Sequence, residues 1–277
     1  MKIILFVLIK LMFILNLNSQ NKGENLNLSN NSNAIFNVQK IVINDSGPDL
    51  CNYEINLGRI SERVFKCSLI DINNNQFWTK ETLTSLTFVF EVTSNNRLKL
   101  LVDTTEITKV LKSDVLYKQF EKIESLGEYK QLLHNQEFVF GLHFEEYLQI
   151  IMDVLYSDVI DYTKEVKLQN MSDTITGIES MKVLKDKNLL KLTKIVTIDE
   201  ERVKDELFAK KADVYKNIKI DRDDMPVVVQ TKETKVIANK INDEYIIECI
   251  DYDSNYNLGN DFDRYFFYRI QRKNKAN

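Results

Sequence analysis

Only seven glycines and two prolines interrupt the 277 residues of this chain. Phosphate-cradling loops need several closely spaced glycines, because backbone N–H groups must approach the anion with no Cβ in the way. No such run exists here. Dinucleotide-binding and Walker-type nucleotide folds are therefore not expected.

The histidines narrow the chemistry further. There are two, His134 and His143. A three-histidine zinc site is excluded, and a Ser-His-Asp or Cys-His device would have to use one of this pair. No Gly-x-Ser-x-Gly elbow is present, and no cysteine adjoins a histidine. Lysines and acids alternate along the chain and sum to a net charge of −4. Without a clustered basic stripe, no nucleic-acid partner is expected. A hydrophobic fraction of 44% is enough to build a packed core.

The amino-terminal residues predict export. Met1-Lys2 is followed by an apolar run from Ile3 to Ile9, a lone Lys10, and a second run from Leu11 to Leu15. A positive start with a short apolar stretch has the form of a secretory signal peptide, and it falls short of the roughly 20 residues a spanning helix needs. Cleavage near Ser19–Gln20 assigns residues 1–19 to the leader. Leu17 is large for the −3 position, which keeps an uncleaved membrane anchor as the alternative. Residues 20–33 read as a flexible polar spacer, and 34–277 as a single α+β domain, with a subdivision near 180 as the other option. The mature chain is expected to be secreted or periplasmic, with no transmembrane domain.

Export also bears on the cysteines. Cys51 and Cys67 can close a short loop, and such a disulfide would stabilise by roughly 3 kcal/mol on loop entropy. The competing reading is three buried thiols, Cys249 included.

Periodicity predicts the elements. Ile35–Ile43 is the first strand, ending at the turn Asn44-Asp45-Ser46-Gly47-Pro48. Tyr53–Ile72 reads as one or two short strands. Leu86–Val92 is rich in β-branched and aromatic residues, and Asn95-Asn96 turns it back into Leu98–Val102. The period then changes to helical over Ile107–Ile123. It continues in a clearer stripe of Phe144, Leu148, Ile151, Met152, Leu155 and Val159. Strands resume at Leu189. A short helix carrying Val203, Leu207 and Phe208 precedes strands at 214–220, 227–231, 235–241, 245–252 and 264–270. The fold class predicted is α+β: a mostly antiparallel sheet with two or three central amphipathic helices packed on one face.

Three constellations invite chemistry. His143 with Glu145 and Glu146 opens the acidic helix, but the zinc-hydrolase helix needs two histidines four apart. A solvated helix start is the simpler reading. Asp251, Asp253, Asn255, Asn257, Asp261 and Asp263 place oxygen donors at alternate positions, as a calcium loop does. The EF-hand register fails, with Leu258 where glycine is required and Arg264 where the bidentate glutamate belongs, so an irregular calcium site competes with a polar hairpin loop. Otherwise no cofactor is expected. Tyr265, Phe266, Phe267 and Tyr268 put aromatics on both faces of the final strand, as core or as a sticky binding face.

Function is expected to be non-enzymatic: an exported binding or structural protein engaging a macromolecule or cell-envelope component through a sheet face or that aromatic strand. The alternative is an exported carboxylate-based hydrolase, with a divalent ion in the 251–263 segment. Trp78 is the single tryptophan, which argues against a sugar-stacking cleft.

Overall fold

The computed structural model describes residues 26–28, 33–44, 47–73, 77–101, 104–123, 129–170, 173–218, 221–224, 229–257 and 263–273. The expected leader, most of the expected spacer and Asp261 lie outside these residues. Within the expected spacer, Leu26–Asn27 (β1) is a short strand with Leu26 and Leu28 buried.

Two up-and-down meanders make one sheet. The first runs through β2 (Asn33–Asn44), β3 (Gly47–Arg59), β4 (Val64–Ile72), β5 (Thr87–Val92) and β6 (Leu98–Leu101). The second runs through β7 (Tyr162–Asn170), β8 (Asp173–Asp186), β9 (Leu189–Thr197), β10 (Val229–Ile241), β11 (Glu244–Asn257) and β12 (Asp263–Arg272). The order β6-β5-β4-β3-β2-β12-β11-β10-β9-β8-β7 is antiparallel throughout and joins the meanders where β2 pairs with β12. Among the described residues only β1 is off this path, pairing parallel with β11. Among the described residues the sheet is not closed, and β6 and β7 are its two edges.

Alternation explains the strands. Phe88, Phe90 and Val92 of β5 are buried while their neighbours are not, as the two-residue period of a pleated strand requires. At the β10–β11 connection Asn242 and Asp243 both take positive φ, 52° and 66°, the conformation that a tight hairpin loop demands. Gly177 on β8 has a different role. A Cβ there would meet Leu168 Cδ1 at 2.5 Å and the carbonyl oxygen of Thr197 at 3.0 Å. The backbone oxygen cannot swing away, so Gly177→Ala is expected to cost about 2 kcal/mol by overpacking, read as a lowered urea midpoint with an unchanged slope.

The chain between β6 and β7 must travel from one edge of the sheet to the other, about 48 Å across ten strand spacings if the sheet were flat. It does so as helices. α1 (Lys80–Ser85) precedes β5, while α2 (Thr104–Ser113), α3 (Val115–Glu121), α4 (Tyr129–Leu132), α5 (Gln136–Phe140) and α6 (Glu146–Leu155) form the crossing. A π-helical turn, Gly141–Glu145, joins α5 to α6. Phe144 packs on Phe88 at 5.0 Å between ring centroids, Phe140 on Phe88 at 5.6 Å, and Tyr147 on Tyr53 at 5.6 Å. Every residue of the predicted stripe, Phe144 to Val159, is buried.

The helix expected over 107–123 is broken in two at Asp114. Its Oδ1 accepts from the backbone of Leu116 and Tyr117, capping α3, and its Oδ2 accepts from Thr79 N and Oγ1. Burial pushes this carboxyl up, but the Thr79, Thr82 and Tyr117 donors outweigh burial and hold it below the ordinary range.

Three expectations need correction. β7 and β8 have no counterpart in the sequence reading. The helix after β9, α7 (Glu200–Ile218), absorbs most of the strand expected at 214–220. The two strands expected over 227–241 are one, β10. α7 is placed apart from the central helices, with Val203 and Leu207 clustered on Ile175 and Ile198 of the β8–β9 region.

Candidate functional site

The groove beneath α6 is the site with the most chemistry. It holds about 820 Å³, within the usual range for small-molecule sites of roughly 300–1,000 Å³. Both free edges of the sheet contribute walls: Arg97 and Leu98 from the β5–β6 side, Tyr162 and Lys164 from β7. The sheet therefore curls toward closure, and α6 stands between the edges. Gln149 of α6 donates to the carbonyl of Asn96 at 2.6 Å and to Asp153 Oδ1 at 2.7 Å, pinning the β5–β6 turn to the helix.

The floor is apolar, with Met181, Leu192 and Val236 buried beneath it. Above them the strands present charge. Glu179 of β8 is buried and accepts from the Tyr162 hydroxyl at 2.8 Å, from Lys164 at 3.0 Å and from Lys194 at 2.9 Å. Burial pushes its carboxyl up, yet Lys194, Tyr162 and Lys164 hold it below the ordinary value. Asp153 behaves oppositely. Water reaches it, but the crowding walls strip enough solvent to raise its carboxyl despite Gln149 and the nearby Lys194, Arg97 and Lys232. Lys232 of β10 is half-buried, and desolvation lowers its ammonium against the pull of Asp153, with Arg97 and Lys194 adding repulsion.

The residues singled out by sequence lie elsewhere. Asp251, Asp253, Asn255 and Asn257 belong to β11, not to a loop, and Asp263 opens β12 opposite Asn257. Alternate strand positions are about 6.8 Å apart, too far for all of them to reach one ion. Asp251 pairs with Arg269 at 2.8 and 3.1 Å, and Asp253 accepts from the Tyr265 hydroxyl. Among the described residues no group of three or more His, Cys, Asp or Glu side chains is placed to hold a metal ion. Asp261, the remaining member of the set, lies outside the described residues.

Cys51 and Cys67 are held apart by the strand register. Both side chains are buried, and neither is joined in a disulfide. The β3–β4 register sets Cys67 against Leu57, six residues along β3 from Cys51, roughly 20 Å at strand rise. Burial pushes the Cys67 thiol well up, so it is not a reactive thiolate.

The aromatic strand divides between two faces. Tyr268 is fully buried and donates to Glu146, which also takes Lys40 at 2.7 Å. Phe266 shares that parity. Tyr265 and Phe267 are half-buried on the opposite face, where Phe267 has Ile41 and then Leu50 as register neighbours. His143 turns into the core edge-on to Trp78 at 5.9 Å, away from any site with Glu145 or Glu146. His134 meets the Tyr117 hydroxyl at 3.3 Å.

Sequence reasoning missed Arg97, Lys164, Glu179, Lys194 and Lys232, which come from five separate elements. The available signal was charge at inward positions of otherwise alternating strands.

No protein-family model matches the chain, and no curated protein is significantly similar to it in sequence. Solved structures similar in shape include one described as lipid-protein interactions in lipovitellin, with a TM-score of 0.45 and 6% identity over 87% of this chain. The chain spans 25% of that lipovitellin chain. A putative outer membrane lipoprotein-sorting protein domain from Vibrio parahaemolyticus has a TM-score of 0.31 and 7% identity, covering 89% of this chain and 87% of its own. A LolA superfamily protein from Nitrosomonas europaea has a TM-score of 0.22 and 8% identity, covering 90% of each chain. At these values the function must be read from this chain's own geometry. Among the described residues no helix is long and apolar enough to cross a membrane.

Proposed function

We propose that the chain is a non-enzymatic binding protein that holds a small ligand with an apolar body in the groove beneath α6. The central helices serve as a cover over one face of the sheet. The observation that carries this is the groove itself, walled by both sheet edges and floored by Met181, Leu192 and Val236. What favours binding over the hydrolase alternative is the state of the groove acids. Both oxygens of Glu179 are occupied by Tyr162, Lys164 and Lys194, and Glu146 accepts from Lys40 and Tyr268, so two of the five acids that line the groove are engaged in holding the fold.

N-phenyl-1-naphthylamine, an uncharged fluorophore that brightens out of water, tests this on the full-length chain. It should bind, and filling the groove from either wall with Thr234→Trp or Ser157→Trp should weaken binding at least tenfold while the melting temperature holds. Absent binding, or binding indifferent to both fillings, overturns the reading.

A second reading rests on the other face. Ile43 and Leu50 are 44% and 47% exposed beside Phe267, a patch through which a macromolecular or cell-envelope partner could be engaged. Export to a secreted or periplasmic location is supported by the leader Met1–Leu17, and mass spectrometry of the mature amino terminus checks it: an intact Met1 refutes cleavage.

A further inference from the structure

β7 is the longer of the two sheet edges, nine residues from Tyr162 to Asn170 against four in β6. Its register with β8 runs unbroken from Tyr162–Met181 to Asn170–Asp173, with no bulge and no proline. Among the described residues no strand lies on its outer side. Short length, bulges and prolines keep an edge from recruiting another strand. β7 has none of these. Its remaining safeguard is charge, and the charges are of both signs: Lys164, Glu165 and Lys167.

Mixed signs select one way of pairing two copies. A two-fold axis normal to the sheet keeps the same face up in both copies, so it must pass through a residue position and set that residue against itself. Centred on Lys164, Glu165 or Lys167, such a pair opposes like charges directly. Centred on Val166, it sets Val166 against Val166 and Glu165 of each copy against Lys167 of the other. Val166 is also the midpoint of β7, so this register pairs all nine residues. Both charges have capacity to spare. Glu165 meets Arg202 through Oε1 at 2.9 Å with its side chain 65% exposed. Among the described residues Lys167 bonds the neutral Thr176 Oγ1, at 2.6 Å.

We propose that β7 is a dimer interface, which takes β7 of a second copy antiparallel about Val166. Outward N–H and C=O groups of each strand then find partners, and unlike charges occupy directly facing positions. The two sheets continue as one, with both grooves opening on the same face.

Analytical ultracentrifugation of the full-length chain should show a monomer–dimer equilibrium. Glu165→Lys or Lys167→Glu opposes like charges at two symmetric places and should weaken association at least about tenfold. The double exchange, Glu165→Lys with Lys167→Glu, should return it to within about threefold of the parent, because unlike charges face each other again while the contacts with Arg202 and Thr176 stay lost. Val166→Cys should link two copies on mild oxidation, since facing Cα atoms lie about 4.5–5.5 Å apart, within disulfide reach. Leu168→Cys should not, because its two thiols would sit four residues apart along the strands, about 13 Å. Melting temperatures near the parent's show that the variants are folded. A dimer indifferent to the single substitutions, a double exchange as weak as the singles, or a Val166→Cys dimer that stays unlinked overturns the interface. A parent that is monomeric at every concentration overturns it too, and leaves the edge to a strand of another protein.

Discussion

Asp114→Ala should lower stability by about 3 kcal/mol, roughly 6–12 °C in Tm for a chain of this size. The side chain is 4% exposed and closes two jobs at once. One oxygen caps α3 through the amides of Leu116 and Tyr117, and the other takes the amide and hydroxyl of Thr79 ahead of α1. Truncation leaves these donors without a partner in a place water does not reach, and orphaned donors cost more than the bonds themselves were worth. Asp114→Asn retains one acceptor oxygen and should show about half the loss. Thermal melts of the three proteins check this; an alanine variant within about 1 kcal/mol of the parent by the same melts would refute the double role.

Acid should unfold the protein by way of His143 well before its carboxylates protonate. The ring is 6% exposed, and burial lowers its pKa from 6.5 to about 4. Its Nε2 has no hydrogen-bond partner in the structure. The unfolded chain takes up the proton more readily than the folded one, so stability is full above pH 6.5 and falls as pH drops from there toward 4. At about 1.4 kcal/mol per pKa unit the loss approaches 3 kcal/mol. Asp114 and Glu179 have lowered values and contribute in the same direction only at still lower pH, as carboxylates protonate in the unfolded chain. Urea midpoints across this pH range should trace the limb. His143→Leu should flatten it, because the orphaned polar atom leaves with the ring. A parent midpoint that stays level between pH 6.5 and 4.5 contradicts the assignment.

How far the sequence revealed this fold differs between elements for physical reasons. β5 and α6 were legible because each sets a run of apolar side chains at its own period against the core: Phe88, Phe90 and Val92 at two, and Leu148, Ile151 and Leu155 at three to four. β7 and β8 were not. β7 is an edge strand with lysine and glutamate on its exposed positions, and β8 points Gly177 and Glu179 inward where an apolar residue would announce a strand. Val214, Tyr215 and Ile218 have strand-forming side chains, yet no glycine or proline interrupts the chain from Glu200 to Ile218, and the helix carries through. The polar stretch Lys232-Glu233-Thr234 splits the apolar pattern of β10 into two. That gap is where Lys232 and Thr234 line the groove. Local pattern and fold disagree at the candidate site, which is where such disagreement is expected. The site's charges come together only through strand register, and register is not written in any single segment.

Pairing of β2 with β12 also dictates when this molecule can exist. The middle of the sheet is supplied by residues 263–272, so until they leave the ribosome the first meander has its β2 flank bare and β11 lacks its neighbour on that side. Assembly of the whole sheet is thereby postponed until β12 has been made. A nascent chain that loses β12 to premature termination would carry two raw strand borders instead of one seam, an open invitation to aggregation.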